Sequence, residues 1–133
     1  MTNKILIIDD DVDYLNDLTI IMSKFYKVYQ AENSRSGYYY FKHHKPDLCL
    51  TDIRLHPYIN PDPDLEGLYL TREIQSVAEN PVPIILMSRF DIPKVPFDLN
   101  YDAFLKKPFL FKTLKVYIDN IINISGTEPG VGI

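Results

Sequence analysis

Leu48-Cys49-Leu50-Thr51-Asp52 is a short apolar run that ends abruptly on a carboxylate. Residues of this kind without polar alternation read as a strand buried on both faces, as in parallel sheets. An aspartate closing such a strand lies at the sheet's carboxyl edge, where open α/β folds hold their ligands. A second run, Ile5-Leu6-Ile7-Ile8, ends the same way, on Asp9 and Asp10. If the two strands are neighbours, three carboxylates meet in one small volume. Like charges that close are unfavourable unless a proton or cation intervenes, so the pattern asks for a metal.

Strand and helix signals alternate along the rest of the chain. The first strand spans Lys4 to Ile8, and Asp11 can cap the helix that follows, with Asp13 favoured in its first turn. Val12, Leu15, Leu18, Thr19, Met22 and Phe25 recur at three- and four-residue spacing and write one apolar stripe. A short strand follows at Lys27 to Ala31. Asn33 or Ser34 caps a second helix, which Pro46 stops near Lys45. Gly37 inside that helix costs about 1 kcal/mol against alanine, so it marks close packing against the sheet. Pro57, Pro61 and Pro63 exclude a helix between Ile53 and Glu66. A third helix starts at Leu65 or Glu66 and ends at Asn80-Pro81. Pro83 to Met87 is another apolar strand, closing on Ser88. Pro93 and Pro96 break the next helix of the alternation, so Arg89 to Tyr101 is expected as loop with a turn of helix at most. Asp102 to Lys106 is the last strand, and Leu110, Leu114, Tyr117, Ile118, Ile121 and Ile122 form a closing amphipathic helix. The expectation is one α/β domain over residues 1–124, a parallel sheet with helices on both faces, and a flexible tail or linker stub at 125–133.

Composition narrows the function classes. The chain has 133 residues, 46% apolar and 24% charged, with a formal net charge of −4 and no Lys/Arg cluster, which argues against a nucleic-acid-binding surface. No stretch approaches the roughly 20 apolar residues of a membrane span, and no signal-peptide core follows Met1. Cys49 is the single cysteine and reads as a small buried apolar residue. A cytoplasmic location is expected.

Four signatures occur in order, each at the carboxyl end of a strand: Asp9-Asp10, Asp52, Ser88 and Lys107-Pro108. Taken singly, the acids are capping residues, Ser88 a turn residue and Lys107 a solvated surface charge. Together they resemble the receiver domain of two-component response regulators, the CheY-like fold, over Lys4 to about Asn123. The resemblance implies strand order 2-1-3-4-5, with the fourth helix reduced or absent here. It implies that Asp52 accepts a phosphoryl group from a phosphohistidine on a sensor histidine kinase or phosphotransfer protein. Mg²⁺ would be held by Asp10, by Asp9 through water, by Asp52 and by the backbone carbonyl of Arg54. Lys107 would pair with phosphoryl oxygens, held by a cis Lys107-Pro108 peptide, and Ser88 would donate its hydroxyl. Phe104 occupies the position of an aromatic that turns inward to report the event to a downstream protein target. Such a chain is no conventional enzyme, yet catalyses its own phosphorylation and dephosphorylation.

Two departures stand out. The loop from Ile53 to Glu66 is long, and its Asp62 and Asp64 sit beside the site, where they could gate partners or add a ligand. The reduced helix between Arg89 and Tyr101 puts a standard output surface in question and leaves room for a second class, a non-switching receiver-like interaction module. A flavodoxin-like cofactor binder would need a neutral or glycine-rich first turn for its phosphate, whereas this one is Asp9-Asp10-Asp11. His43-His44 is a weak metal pair, because adjacent helical residues point apart; a favourable contact with the helix dipole explains it better.

Overall fold

The computed structural model describes residues 2–126. Five strands, β1 (Lys4–Ile8), β2 (Lys27–Ala31), β3 (Leu48–Asp52), β4 (Ile84–Ser88) and β5 (Ala103–Lys106), form one parallel sheet in the order β2-β1-β3-β4-β5. The helices are α1 (Val12–Met22), α2 (Ser34–His44), α3 (Glu66–Val77) and α4 (Phe111–Gly126). This is the expected architecture, and β1 and β3 are adjacent at its centre.

The unbroken apolar runs now have a reason. Alternate residues point to opposite faces of a strand, and both faces are covered. Ile5, Ile7, Leu48, Leu50, Ile85 and Met87 pack with α1 and α4, whereas Leu6, Ile8, Cys49, Ile84 and Leu86 pack with α2 and α3. Every residue of β3 and β4 is buried. Gly37 lets α2 close onto this sheet: a Cβ there would lie 2.8 Å from Ile8 Cδ1.

Side-chain caps start the first two helices. The Asp11 carboxylate accepts the Tyr14 N–H to start α1, and Asn33 accepts the Ser36 N–H to start α2. Lys45 ends α2 in the left-handed region at φ 48°, and Pro46 follows it. Three expectations shift. The α1 stripe stops at Met22, so Phe25 lies beyond the helix and is half exposed, as is Val12 at the start. Tyr26 takes the core position instead, with its hydroxyl donating to Asp119 at 2.6 Å. Helix α3 ends at Val77, ahead of Asn80-Pro81, because Ala78 already turns to extended backbone. Asp102 falls outside β5 and uses its carboxylate to accept the Ile84 N–H at 2.8 Å.

No helix forms between β4 and β5 among the described residues. The extended segment lays Ile92, Val95 and Leu99 on the core in its place. Arg72 of α3 fastens it by lying over the Phe97 ring at 4.3 Å, and Gln75 donates to the Asn100 carbonyl at 2.7 Å. Helix α4 continues through Ser125 and Gly126, so the expected tail begins helical; residues 127–133 lie outside the described residues. No helix is long and apolar enough to cross a membrane among the described residues.

Candidate functional site

Strand register builds the site. Ile8 pairs with Thr51, so Asp9 and Asp52, each one residue further, end neighbouring strands at one level. Ser88 pairs with Lys106, which puts Lys107 just beyond the same edge. The cleft there is lined by Asp9, Asp10, Asp52, Arg54, Ser88 and Lys107, among others. A larger cavity opens among the residues of the opposite edge, near Pro46 and Pro83. The acidic group of Asp9, Asp10 and Asp52 lies at the smaller cleft.

Lys107 Nζ stands 2.7 Å from Asp9 Oδ2 and 2.8 Å from Asp52 Oδ2, and the three side chains are almost wholly buried. Its ammonium also lies 4.3 Å from the centre of the Tyr14 ring. Backbone donors hold the far oxygens: Asp11 N–H reaches Asp9 Oδ1 at 2.9 Å, and Arg54 N–H reaches Asp52 Oδ1 at 3.1 Å. Asp10 completes an acidic group in which one oxygen of each carboxylate lies within 4.8 Å of the others. The Lys107-Pro108 peptide is cis. Ser88 is buried, and its Oγ accepts the Phe90 N–H at 3.1 Å. Phe104 is half buried on β5, against the core face that also holds Leu86.

The electrostatics follow from burial. Desolvation raises the Asp9 carboxyl above its ordinary value; the Lys107 hydrogen bond opposes this, and the Asp52 charge adds to it. Asp10 is raised as well, first by desolvation and then by Asp9, with Lys107 and Arg54 pulling the other way. Burial alone would lower Lys107, but its bonds to Asp52 and Asp9 outweigh that and hold it above 10.5. Three acids against one lysine leave a site short of positive charge. Asp10, raised when folded, gives its full stabilisation only below its ordinary pKa and loses it as pH rises through the folded value. Asp10→Asn is therefore expected to raise the melting temperature at pH 7 in a chelator by about 3 °C, a small gain because solvent screens this exposed carboxylate. The gain should vanish near pH 3, where both forms are neutral. An unchanged or lower melting temperature at pH 7 would contradict it.

The sequence signatures therefore converge: Asp9, Asp10, Asp52, Ser88 and Lys107 share one cleft, with Arg54 at its mouth. Asp62 and Asp64 add no carboxylate to the acidic group. His43 and His44 do not converge on a metal either. The His44 ring stacks on Tyr29 and the His43 ring lies tilted against Tyr39, each at 4.1 Å. Sequence reasoning missed Tyr14 beneath Lys107; its spacing from Asp10 and Asp11 on α1 was the available signal. It also took Glu66 as a helix start only, whereas the buried carboxylate accepts backbone N–H groups of Ile59 and Asn60.

Comparison with known proteins decides the family. Residues 5–119 match the response regulator receiver domain. The chain belongs to the response regulator receiver domain family. Across its whole length this receiver is 30% identical to the transcriptional regulatory protein KdpE of Staphylococcus aureus, covering 55% of that protein. It is 31% identical to the sensory transduction protein BceR of Halalkalibacterium halodurans over 90% of this chain and 49% of that one. The receiver thus spans about half the length of these relatives. A CheY-like response regulator receiver domain protein from Methanospirillum hungatei shares the fold, with a TM-score of 0.77 at 22% identity, covering 93% of this chain and 96% of that one.

Proposed function

We propose that this receiver accepts a phosphoryl group on Asp52 from a phosphohistidine of a sensor kinase or phosphotransfer protein in the cytoplasm. Loading would change its binding to a downstream protein. The observation that carries the reading is the bridge of one buried lysine to Asp9 and Asp52, with Asp10 alongside. An Asp52 oxygen attacks phosphorus, the P–N bond breaks, and the imidazole keeps its electron pair. Lys107 neutralises charge at the reacting oxygen as a fixed point cation. The three carboxylates are hard oxygen donors grouped closely enough for a small divalent ion, so the residues fit Mg²⁺, with the Arg54 carbonyl as a further ligand. When bound, Mg²⁺ neutralises negative charge on the phosphoryl group and its acceptor. Ser88 already accepts the Phe90 N–H, which leaves its own proton to donate to a phosphoryl oxygen. That bond would draw the start of the β4–β5 segment toward Asp52 and open space for Phe104 to turn inward. The same groups would govern loss of the phosphoryl group to water.

Incubation with Mg²⁺ and phosphoramidate tests this. Intact mass spectrometry should show one added phosphoryl group, stable in acid and labile in base, that Asp52→Asn abolishes. The absence of a helix between β4 and β5 favours a second reading, a constitutive interaction module with the receiver fold. Wild-type protein that stays unlabelled would select it.

A further inference from the structure

The connection between β3 and α3 folds back on itself. Leu55 N–H donates to the Pro63 carbonyl at 3.1 Å, closing residues 56–62 into an excursion beside the cleft. Glu66, fully buried at the start of α3, pins it from within by accepting the Asn60 N–H at 2.8 Å and the Ile59 N–H at 2.9 Å. A stair of bonds then descends. Asn60 Oδ1 accepts the Asp62 N–H, and Asp62 Oδ1 accepts the Asp64 N–H, each at 2.9 Å. At its foot, Asp64 Oδ1 lies 3.5 Å from Arg54 Nε. Arg54 in turn lines the cleft with Asp10, Asp52 and Lys107. Both side chains are largely exposed, and the contact is made through Nε.

We infer that Asp64 is a positioning residue for phosphoryl transfer. The excursion fixes Asp64, and Asp64 fixes the Arg54 guanidinium at the cleft mouth, where its Nη groups meet the oxygens of an incoming phosphodonor. A planar guanidinium suits that task because its parallel N–H groups match phosphoryl oxygens. It also supplies positive charge where the carboxylates outnumber Lys107. The inference rests on phosphorylation at Asp52.

Phosphoramidate and saturating Mg²⁺ test it without any protein donor: the P–N bond breaks, nitrogen leaves with its electron pair as ammonia, and the Asp52 O–P bond forms. Because the Arg54–Asp64 pair is exposed, a modest effect is expected. Asp64→Asn should raise the half-saturating phosphoramidate concentration about threefold and leave the limiting rate and melting temperature unchanged. Asp64→Glu should restore the wild-type value. Arg54→Ala should raise it at least as far, and Asp64→Asn added to Arg54→Ala should do nothing more. An Asp64→Asn variant that matches wild type, saturates at lower donor, or loses only limiting rate overturns the inference, as do additive effects in the double variant. Wild-type protein that takes up no phosphoryl group would instead sink the phosphorylation reading, and this inference with it.

Discussion

Replacing Lys107 by alanine is expected to cost the fold about 3 kcal/mol at neutral pH, the scale for removing one partner from a buried ion pair. Asp9 is wholly enclosed, Asp52 nearly so, and both point an oxygen at the same ammonium. Without it, two close carboxylates face each other in a poorly solvated space. In a chelator, with no divalent ion to take the place of the ammonium, protonation is their relief, which fixes the sign of the pH dependence. Asp9 already sits above its ordinary value through burial and Asp52, with Lys107 as the chief opposing influence. In the variant it should rise further. A carboxyl raised in the folded state stabilises at low pH and loses that contribution as pH climbs through its folded value. The deficit of Lys107→Ala, measured by urea unfolding, should therefore shrink steadily as the pH falls from neutral toward the ordinary carboxylate range. The wild type should lose the Lys107 contribution only in alkali, above 10.5, because the lysine is raised in the fold. Adding Asp9→Asn should recover most of the loss. A deficit that grows on acidification would refute this account.

Gly67→Ala is the second large effect expected. Helix α3 begins so close to the end of β3 that a Cβ at Gly67 would lie 2.1 Å from the Asp52 carbonyl oxygen and 2.7 Å from Ile53 Cα. Both obstacles are backbone, so no rotamer change relieves them. The Gly67 N–H also donates to the Ile53 carbonyl at 2.8 Å, a bond that displacement would break. Unfolding free energy should fall by about 3 kcal/mol, the upper end for overpacking. Since the shifted backbone carries Asp52, phosphorylation by phosphoramidate should also slow by about 100-fold, typical of an ångström-scale misplacement. Gly37→Ala is the milder comparison. Its Cβ meets side-chain atoms of buried Ile8, not backbone, and about 1 kcal/mol of helix propensity offsets part of that crowding. Equal melting temperatures for Gly67→Ala and wild type would remove the basis for this expectation.

Much of the site was legible because strands buried on both faces leave a plain trace. Ile5 to Ile8 and Leu48 to Leu50 lack polar alternation, and acids follow each run directly. Once β1 and β3 are neighbours, the acids must meet at the edge. The same logic locates Ser88 and Lys107. Local spacing says less about where a helix hands over to a turn, which is why Phe25 read as stripe and Tyr26 fills the core. It says nothing about contacts made across long separations. Glu66 looks like an ordinary first-turn acid, yet it is buried by the loop it holds. The β4–β5 segment was readable as irregular from its prolines, but its fastening by Arg72 and Gln75 depends on the packing of α3.

The two outermost strands carry a consequence for behaviour at high concentration. Strand β5 is only four residues long and ends on exposed Lys106, while β2 opens on exposed Lys27. Brief margins bearing ammonium groups are poor templates for another molecule's backbone. Growth of the sheet from one copy into the next is thereby discouraged.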